Sequence, residues 1–584
     1  NIFLEVQPVK NLFLKTNFGA DNARFQNKVI ALKFSEGAFN RTTNSLSLDQ
    51  NVYLSTTWSN TARYHWDVNQ NHQLKFLVGA ELINTNLDWQ FTRKEGYAIQ
   101  EEDYFTLNAG TGNTTANGNS TGHKLFSQFA RVDYTLADKY LAAFTVRRDG
   151  SSRFGENNRY AIFPAASFGW RIDKESFMDS QDLFSELKFR VGVGKVGNQH
   201  IGDLARFGLF DTRYGTNQNQ LTPGFWETYM NIGTAYSLSG ANTGTLPSGF
   251  VQTQAANSDL RWEETGEVNL GLDFALWNDK LFGSFDYFSR KTTGILIIPP
   301  VAATLGEGQS KAVNGAAKSN KGWELVLGYR ERSSGGLDYT ITTNFSHFRD
   351  RITELPEEVR AAYPGNLTST IIGRSQFDIF GYKTMGLFQS QEEVNNAPTQ
   401  IGAGPGRIRY VDINNDGRID DLDRTWIGTT LPALEYGVRV DLSYKSWDAS
   451  LFGSGVAGKS GFDAYSMFNN LMRSRENVGP GVFNGWTPTN TNTNVPALTL
   501  RDNNSETRTS DYFMVNTSYF KMRNIQLGYT LRPVKVLERL RLFAMFENMF
   551  WFKSKSYQGP DPERIDLNPI PIPKTYTFGI NASF

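Results

Sequence analysis

VNLGLDFAL, residues 268–276, sets Val268, Leu270, Leu272, Phe274 and Leu276 against Asn269, Gly271, Asp273 and Ala275. Apolar residues alternate one by one with polar or small ones, the period of a strand whose successive side chains point to opposite faces. The same alternation recurs in LKFLVGAEL at 74–82, LKFRVGVG at 187–194 and YGVRVDLSY at 436–444. Each run approaches the roughly 9–11 residues with which a tilted strand crosses the hydrocarbon of a membrane. A strand of a large soluble sandwich would show the same alternation, but with many short and similar loops.

The connections between these runs are of two kinds. Tight turns are read at Pro8–Asn11, Asn69–Gln73, Ala137–Lys139, Trp277–Lys280, Ser333–Gly336 and Lys445–Ser446. Between them lie the long stretches Gln199–Asp259, Asp350–Leu431 and Ala457–Asp511. Tight turns at one end and long loops at the other mark a transmembrane antiparallel β-barrel of an outer membrane, with the turns periplasmic and the loops extracellular. The spacing predicts about 17 strands, too many for side chains alone to fill the lumen.

Composition agrees with an all-β membrane protein. The 584 residues hold 43 Phe, 24 Tyr and 12 Trp, yet no apolar run approaches the length of a membrane helix. These aromatics are dealt out singly among Asn, Asp, Ser, Thr and Gly, as when one strand face meets lipid and the other a wet interior. A chain that crosses a membrane without such a helix crosses as a closed barrel. Lys+Arg and Asp+Glu are both 59, which removes the electrostatic case for a nucleic-acid partner. Cysteine is absent, which excludes thiol catalysis, cysteine-ligated metals and disulfides. The five histidines form no HExxH pattern and no GxSxG elbow occurs, so no enzyme is expected.

Several blocks resemble the SusC/RagA family of TonB-dependent outer-membrane importers of Bacteroidetes. They are RRDGSSRFGENNRY at Arg147–Tyr160, FPAASFGWRI at Phe163–Ile172, LKFRVGVGKVGNQ at Leu187–Gln199 and RWEETGEVNLGLD at Arg261–Asp273. They continue with NKGWELVLGY at Asn320–Tyr329, YFKMRNIQLGYTL at Tyr519–Leu531, FENMFWFKSKSYQGPDPE at Phe546–Glu563 and PKTYTFGINASF at Pro573–Phe584. The resemblance implies a 22-stranded barrel closed by a plug, importing an oligosaccharide or peptide with a SusD-like surface lipoprotein and energy from TonB. Residues 1–584 are read as barrel throughout, about 17 of those 22 strands, with the plug and first strands expected outside this sequence. Strand parity points the same way. Phe584 should end at the periplasm, so that, counting back, Ile2–Val6 also descends, whereas a single-chain barrel begins with an ascending strand. The alternative is a SusC-like barrel serving as a structural or assembly subunit of a larger outer-membrane complex. The closing alternation of Tyr576, Phe578, Ile580, Ala582 and Phe584 looks like the signal read by barrel-assembly machinery, with Phe584 as its terminal aromatic.

DINNDGRIDDLD at 412–423 is the strongest chemical motif. Oxygen donors fall at loop positions 1, 3, 5, 9 and 12 as Asp412, Asn414, Asp416, Asp420 and Asp423, with Gly417 at the sharp turn and the Arg418 carbonyl at position 7. Crowded carboxylates suit a hard cation, Ca2+ or Mg2+, in a structural role, since no nucleophile neighbours them. The competing reading is an Asx-rich turn with solvated carboxylates. GSGVAGKS at 453–460 matches a phosphate-loop pattern, but Trp447–Phe452 before it reads as a membrane strand, so Lys459 is expected to hold no nucleotide. Trp226, Tyr229 and Tyr236, with Tyr363 and Trp486, suit stacking on a sugar or packing on a surface lipoprotein, or simply packing of loops on each other.

Overall fold

The computed structural model describes the chain apart from residues 38, 214–248, 301–310, 367, 465, 468–470, 472–477, 500–502, 532–536, 566–571 and 584. The period-two segments form long strands, and among the described residues seventeen of them join one sheet. In chain order these are β1 Ile2–Val9, β2 Leu12–Ala31, β3 Ser45–Asn69, β4 His72–Glu95, β5 Thr114–Leu136 and β6 Tyr140–Ser151. They continue as β7 Tyr160–Arg171, β8 Phe184–Asn198, β9 Glu263–Leu276, β10 Leu281–Thr293, β11 Ala317–Arg332 and β12 Leu337–Glu354. The last five are β13 Leu434–Tyr444, β14 Trp447–Ala457, β15 Tyr519–Leu531, β16 Arg539–Lys553 and β17 Thr575–Ser583. The expected number of strands is thus met.

The chain divides into two compact units. The first is Asn1–Phe168, Val193–Gly266 and Thr292–Gly315; the second is Gly169–Gly192, Glu267–Lys291 and Ala316–Phe584. In the first, β1 to β6 pair antiparallel in sequence, with β3 and β4 in register from Ser45 opposite Glu95 to Asn69 opposite His72. In the second, β11 to β17 do the same. The tight turns fall where the sequence placed them. Their sharpness requires left-handed backbone at non-glycine residues, with positive φ at Asn11, Ala137, Asp138, Trp277, Asn278, Asp279 and Lys445.

The apolar face of the strands is exposed rather than packed. Tyr576, Phe578 and Ile580, alternate residues of β17, are 57%, 76% and 68% exposed. Val268 and Leu270 on β9 and Val78 and Leu82 on β4 follow the same rule. A water-bathed sheet of this size would bury that face on a second layer. On these strands it is left bare, which is what a strand facing lipid presents.

The opposite face is polar and carries ion pairs that bridge neighbouring strands. Arg190 on β8 donates to both Asp273 on β9, at 2.8 Å, and Asp286 on β10, at 3.0–3.1 Å. To reach β10 its guanidinium lies across Gly271, where a Cβ would come within 2.6 Å of Arg190 Cζ. Arg541 on β16 crosses Gly528 of β15 in the same way to reach Asp448 on β14. Glycine at these two points is the clearance that lets an arginine span two strands.

The buried core sits in the long connections. Among the described residues the fully buried aromatics include Phe105, Phe154, Phe388, Tyr410 and Tyr557, none of which lies within the seventeen strands.

Candidate functional site

Each unit carries a folded layer at the long-loop ends of its strands. In the first unit, Phe154, just beyond β6, packs on Trp262 with ring centroids 4.8 Å apart, and Phe163 meets the same indole edge-on at 5.5 Å. Leu260, Ala205 and Ala312 complete that cluster. The indole N–H donates to the Arg159 carbonyl at 3.1 Å, so the ring is both buried and satisfied. Arg153 anchors the start of the next long connection, with Nε 2.7 Å from Asp203 and Nη1 on the Gln199 carbonyl. His123 Nδ1 stands 3.1 Å from the same Asp203 carboxylate. Further along, Asn157 and Asn158 donate to Asp259. The conspicuous RRDGSSRFGENNRY block is therefore an anchor for a long connection, and sequence reading had no signal for that role beyond its odd composition.

In the second unit, residues 378–429, 485–499 and 503–513 fold together. The pairs Asp378–Tyr382 with Arg424–Thr429, and Thr384–Leu387 with Ile408–Tyr410, form two small sheets. Tyr382, Leu387, Ile408, Tyr410, Ile419 and Trp486 make their shared core. Buried polar groups join these segments. Gln400 Nε2 donates to the Ile408 carbonyl and to Asn504 Oδ1, both at 2.7 Å. Glu506 accepts from Arg407 at 2.8 Å and from the Ile408 amide at 3.1 Å. Burial pushes the Tyr512 phenol well above its ordinary range, and its hydroxyl donates to the Asn494 carbonyl at 2.7 Å. Trp486, expected among the exposed aromatics, is instead 8% exposed and donates its indole N–H to Gln389 at 2.8 Å. For Trp486 the loop-packing reading holds.

The acidic loop 412–423 hangs from this core by buried Ile419. Asp412, Asn414 and Asp416 come together. The Asp416 amide donates to Asp412 Oδ1 at 3.3 Å and to Asn414 Oδ1 at 3.1 Å, and Asn414 Nδ2 donates to Asp416 Oδ2 at 3.0 Å. The Gly417 amide donates to Asp412 Oδ2 at 2.9 Å, and the Arg418 amide to Asp416 Oδ1 at 2.9 Å. Gly417 takes φ +81°, the left-handed turn that the motif requires.

Asp420 and Asp423 sit differently. Asp423 is fully buried; its Oδ1 accepts from the Ile413 amide and its Oδ2 from the Asp420 amide, both at 2.8 Å. Asp420 caps the short turn Asp421–Asp423 by accepting from the Leu422 amide, and Asp423 closes a reciprocal capping box. Sequence reading saw five side-chain ligands and the Arg418 carbonyl and missed this capping pair, although Asp-x-x-Asp carries the signal. Among the described residues no three Asp, Glu, His or Cys side chains converge as a ready-made ligand group. The donor chemistry fits a hard cation at the Asp412, Asn414 and Asp416 end, because a carboxylate oxygen that accepts one amide keeps a second lone pair. At the other end Asp423 acts as the clasp of the loop. Asp421 ties the loop to the core, accepting from the Tyr382 hydroxyl at 3.1 Å; burial, then that bond, raises the Tyr382 phenol.

Trp226, Tyr229, Tyr236 and Phe584 lie outside the described residues. Gly453 of the phosphate-loop look-alike is in β14, antiparallel to β13 and β15, and the short strand Ser460–Phe462 follows where a nucleotide-binding loop would open a helix.

A family model described as "TonB dependent receptor-like, beta-barrel" matches residues 9–548. The chain belongs to that family of outer-membrane β-barrel proteins, which are receptors and transporters rather than enzymes. Within it the chain is of SusC/RagA type. It is 28% identical over 542 residues to TonB-dependent receptor P3 of Formosa agariphila, a match that covers 88% of this chain and 51% of that one. It is likewise 28% identical over 474 residues to TonB-dependent receptor SusC of Bacteroides thetaiotaomicron, covering 80% of this chain and 44% of that one. The chain thus spans about half the length of these relatives. In fold it follows the structure titled "Structure of the RagAB peptide transporter", with a TM-score of 0.81, 22% identity, and 100% of this chain and 61% of that one covered. The seventeen strands are therefore wall of a transmembrane β-barrel, with tight turns in the periplasm and the two folded layers outside the cell.

Proposed function

We propose that this chain supplies barrel wall to a SusC-like importer that brings a large nutrient, an oligosaccharide or a peptide, into the periplasm. A SusD-like surface lipoprotein would cover its outer face, and TonB would supply energy through a plug segment. The observation that carries the reading is the pairing of a bare apolar strand face with a polar face of bridged ion pairs. A barrel of this strand number needs a wet or plugged interior. Folded outer layers with buried cores are what a partner lipoprotein would dock on, and Trp226, Tyr229 and Tyr236 would offer ring faces to it or to the cargo. Mass spectrometry of the full-length protein purified from outer membranes of a strain lacking TonB should find a retained oligosaccharide or peptide, depleted when TonB is supplied and import into the periplasm resumes. Recovery of no solute, together with unimpaired growth of a deletion strain on all large nutrients, would sink the transport reading.

The acidic loop would hold one Ca2+ or Mg2+ through Asp412, Asn414, Asp416, the Arg418 carbonyl and Asp420, with Asp423 fixing the loop's ends. The cation would offset the carboxylate charge and stiffen the outer layer. Adding EDTA should speed protease cleavage near 412–423 in the unaltered protein and leave Asp416→Asn indifferent; equal cleavage in both with and without EDTA counts against the cation. Phe584 would serve as the assembly signal, so its removal should lower the folded yield in outer membranes.

A further inference from the structure

Among the described residues of the second unit, a second fully buried charge, besides Asp423, is a lysine. Lys521, the third residue of β15 at the end that adjoins the long connections, has a fully buried side chain. Its Nζ is 3.2 Å from Asp561 Oδ2 and 3.0 Å from Glu563 Oε2. Asp561 is itself 2% exposed in its side chain. Arg523, two residues on, meets both oxygens of Glu563 at 2.5 and 2.7 Å, and the Tyr519 hydroxyl donates to Glu563 at 2.9 Å. Two cations, two carboxylates and a phenol close a neutral cluster between a strand and the last long connection.

The backbone is shaped for this cluster. The pairing of β15 with β14 shifts between Met522 and Asn524, so Arg523 is an extra residue, a bulge, and Lys521 and Arg523 on either side of Met522 both reach Glu563. Arg523 Nε also donates to Ser454 Oγ of β14, at 2.9 Å. On the other side, Tyr557 is buried and its hydroxyl donates to the Arg564 carbonyl at 3.2 Å, while Lys553 Nζ holds the Gly559 carbonyl at 2.5 Å. Asp561 Oδ1 accepts from the Glu563 amide at 3.0 Å, which aims both carboxylates at the strand.

We propose that Ser554–Ile565 is a fixed strap, locked by the Lys521–Asp561–Glu563–Arg523 clasp onto the polar face of β15, and not a loop that swings with the outer surface. A charge pair in water would be exchanged readily for hydration. Here Lys521, Arg523 and the Tyr519 hydroxyl all bond the two carboxylates of the strap, so its release must break several charge-assisted hydrogen bonds together rather than one at a time. The strap therefore gives the outer end of the wall a rigid lip next to connections that differ in length and packing.

These 584 residues hold no cysteine, so within them introduced cysteines carry the only spin labels. Labels at Gln558→Cys on the strap and Glu435→Cys on β13, both exposed positions of the second unit, report their separation in the full-length protein in detergent or membranes. The expected result is one narrow distance distribution that broadens at least twofold when Lys521→Met is added. Folding of that variant is checked by heat-modified gel mobility. Should Lys521→Met fail to fold, Glu563→Gln keeps the shape, removes the charge and should broaden the distribution likewise. A distribution already broad in the unaltered protein, or one left narrow in a folded Lys521→Met or Glu563→Gln protein, overturns the proposal.

Discussion

The wall and the outer layers follow opposite rules for the same residues. On the wall, aromatics such as Phe578 stand 76% exposed, and charged groups such as Arg190 face inward across the strands. In the layers, Phe154 and Tyr410 are buried like the core of a soluble domain, with Gln400, Asn504 and Glu506 satisfied inside. The wall gains its backbone hydrogen bonds from strand neighbours in a medium without water. The layers gain their order from burying apolar surface away from water. One chain thus contains a membrane solution and an aqueous solution to folding, joined at the outer ends of the strands.

That contrast can be broken most severely in the layers. Trp262→Ala should cost about 3–5 kcal/mol locally, since it empties a buried aromatic site. Hydrogen exchange should then accelerate around Phe154 and Leu260 and leave β3 and β4 protected; acceleration throughout β3 and β4 would show that layer and wall are not separable. On the wall, Leu270→Arg should cost about 2–4 kcal/mol if that face meets mid-membrane lipid. Asn269→Arg, one residue away on the other face, should cost little, and equal losses in urea unfolding from lipid vesicles would refute the face assignment. A smaller effect, about 1–3 kcal/mol, is expected for Gly271→Ala, whose added Cβ displaces the Arg190 guanidinium. The partner substitution Arg190→Ala should relieve that effect.

The smallest effect concerns acid. Desolvation raises the Glu563 carboxyl, but the hydrogen bonds from Arg523, Lys521 and Tyr519 outweigh it and hold the group down to about 2. A carboxylate whose folded value is depressed lends stability above its unfolded value and loses it as pH falls through the folded one. The strap should therefore stay locked at neutral pH and loosen progressively from about pH 4.5 towards 2. Label separation measured across that range should follow this course in the unaltered protein and stay flat in Glu563→Gln.

The wall was legible because its signals are local. Alternation along VNLGLDFAL, and turn residues such as Asn278 and Asp279, are fixed by neighbours in sequence, so strands and tight turns lie where they were read. The layers were not legible because their partners are far apart. Trp486 is buried against Gln389, a pair separated by 97 positions, and no period marks either. The acidic loop falls between. Its spacing brought Asp412, Asn414 and Asp416 into one turn, but the burial of Asp423 depends on the turn it closes and on the core behind it. The signature blocks were recognisable as words before their work was visible: Arg153 and Lys521 tie down long connections.

The lengths of β3, β4 and β5 carry a further consequence. They run 25, 24 and 23 residues, more than twice what a crossing strand needs. At a rise of about 3.3 Å per residue and a tilt of about 40°, such a strand stands roughly 60 Å tall, against an apolar band of about 25 Å. Something like 35 Å of paired ribbon is left beyond the apolar band, stiffened by its own ladder of hydrogen bonds. This part of the protein is a parapet. Such a ribbon stands taller than the apolar band it crosses, so that edge of the wall is protein paired to protein where the hydrocarbon has already ended.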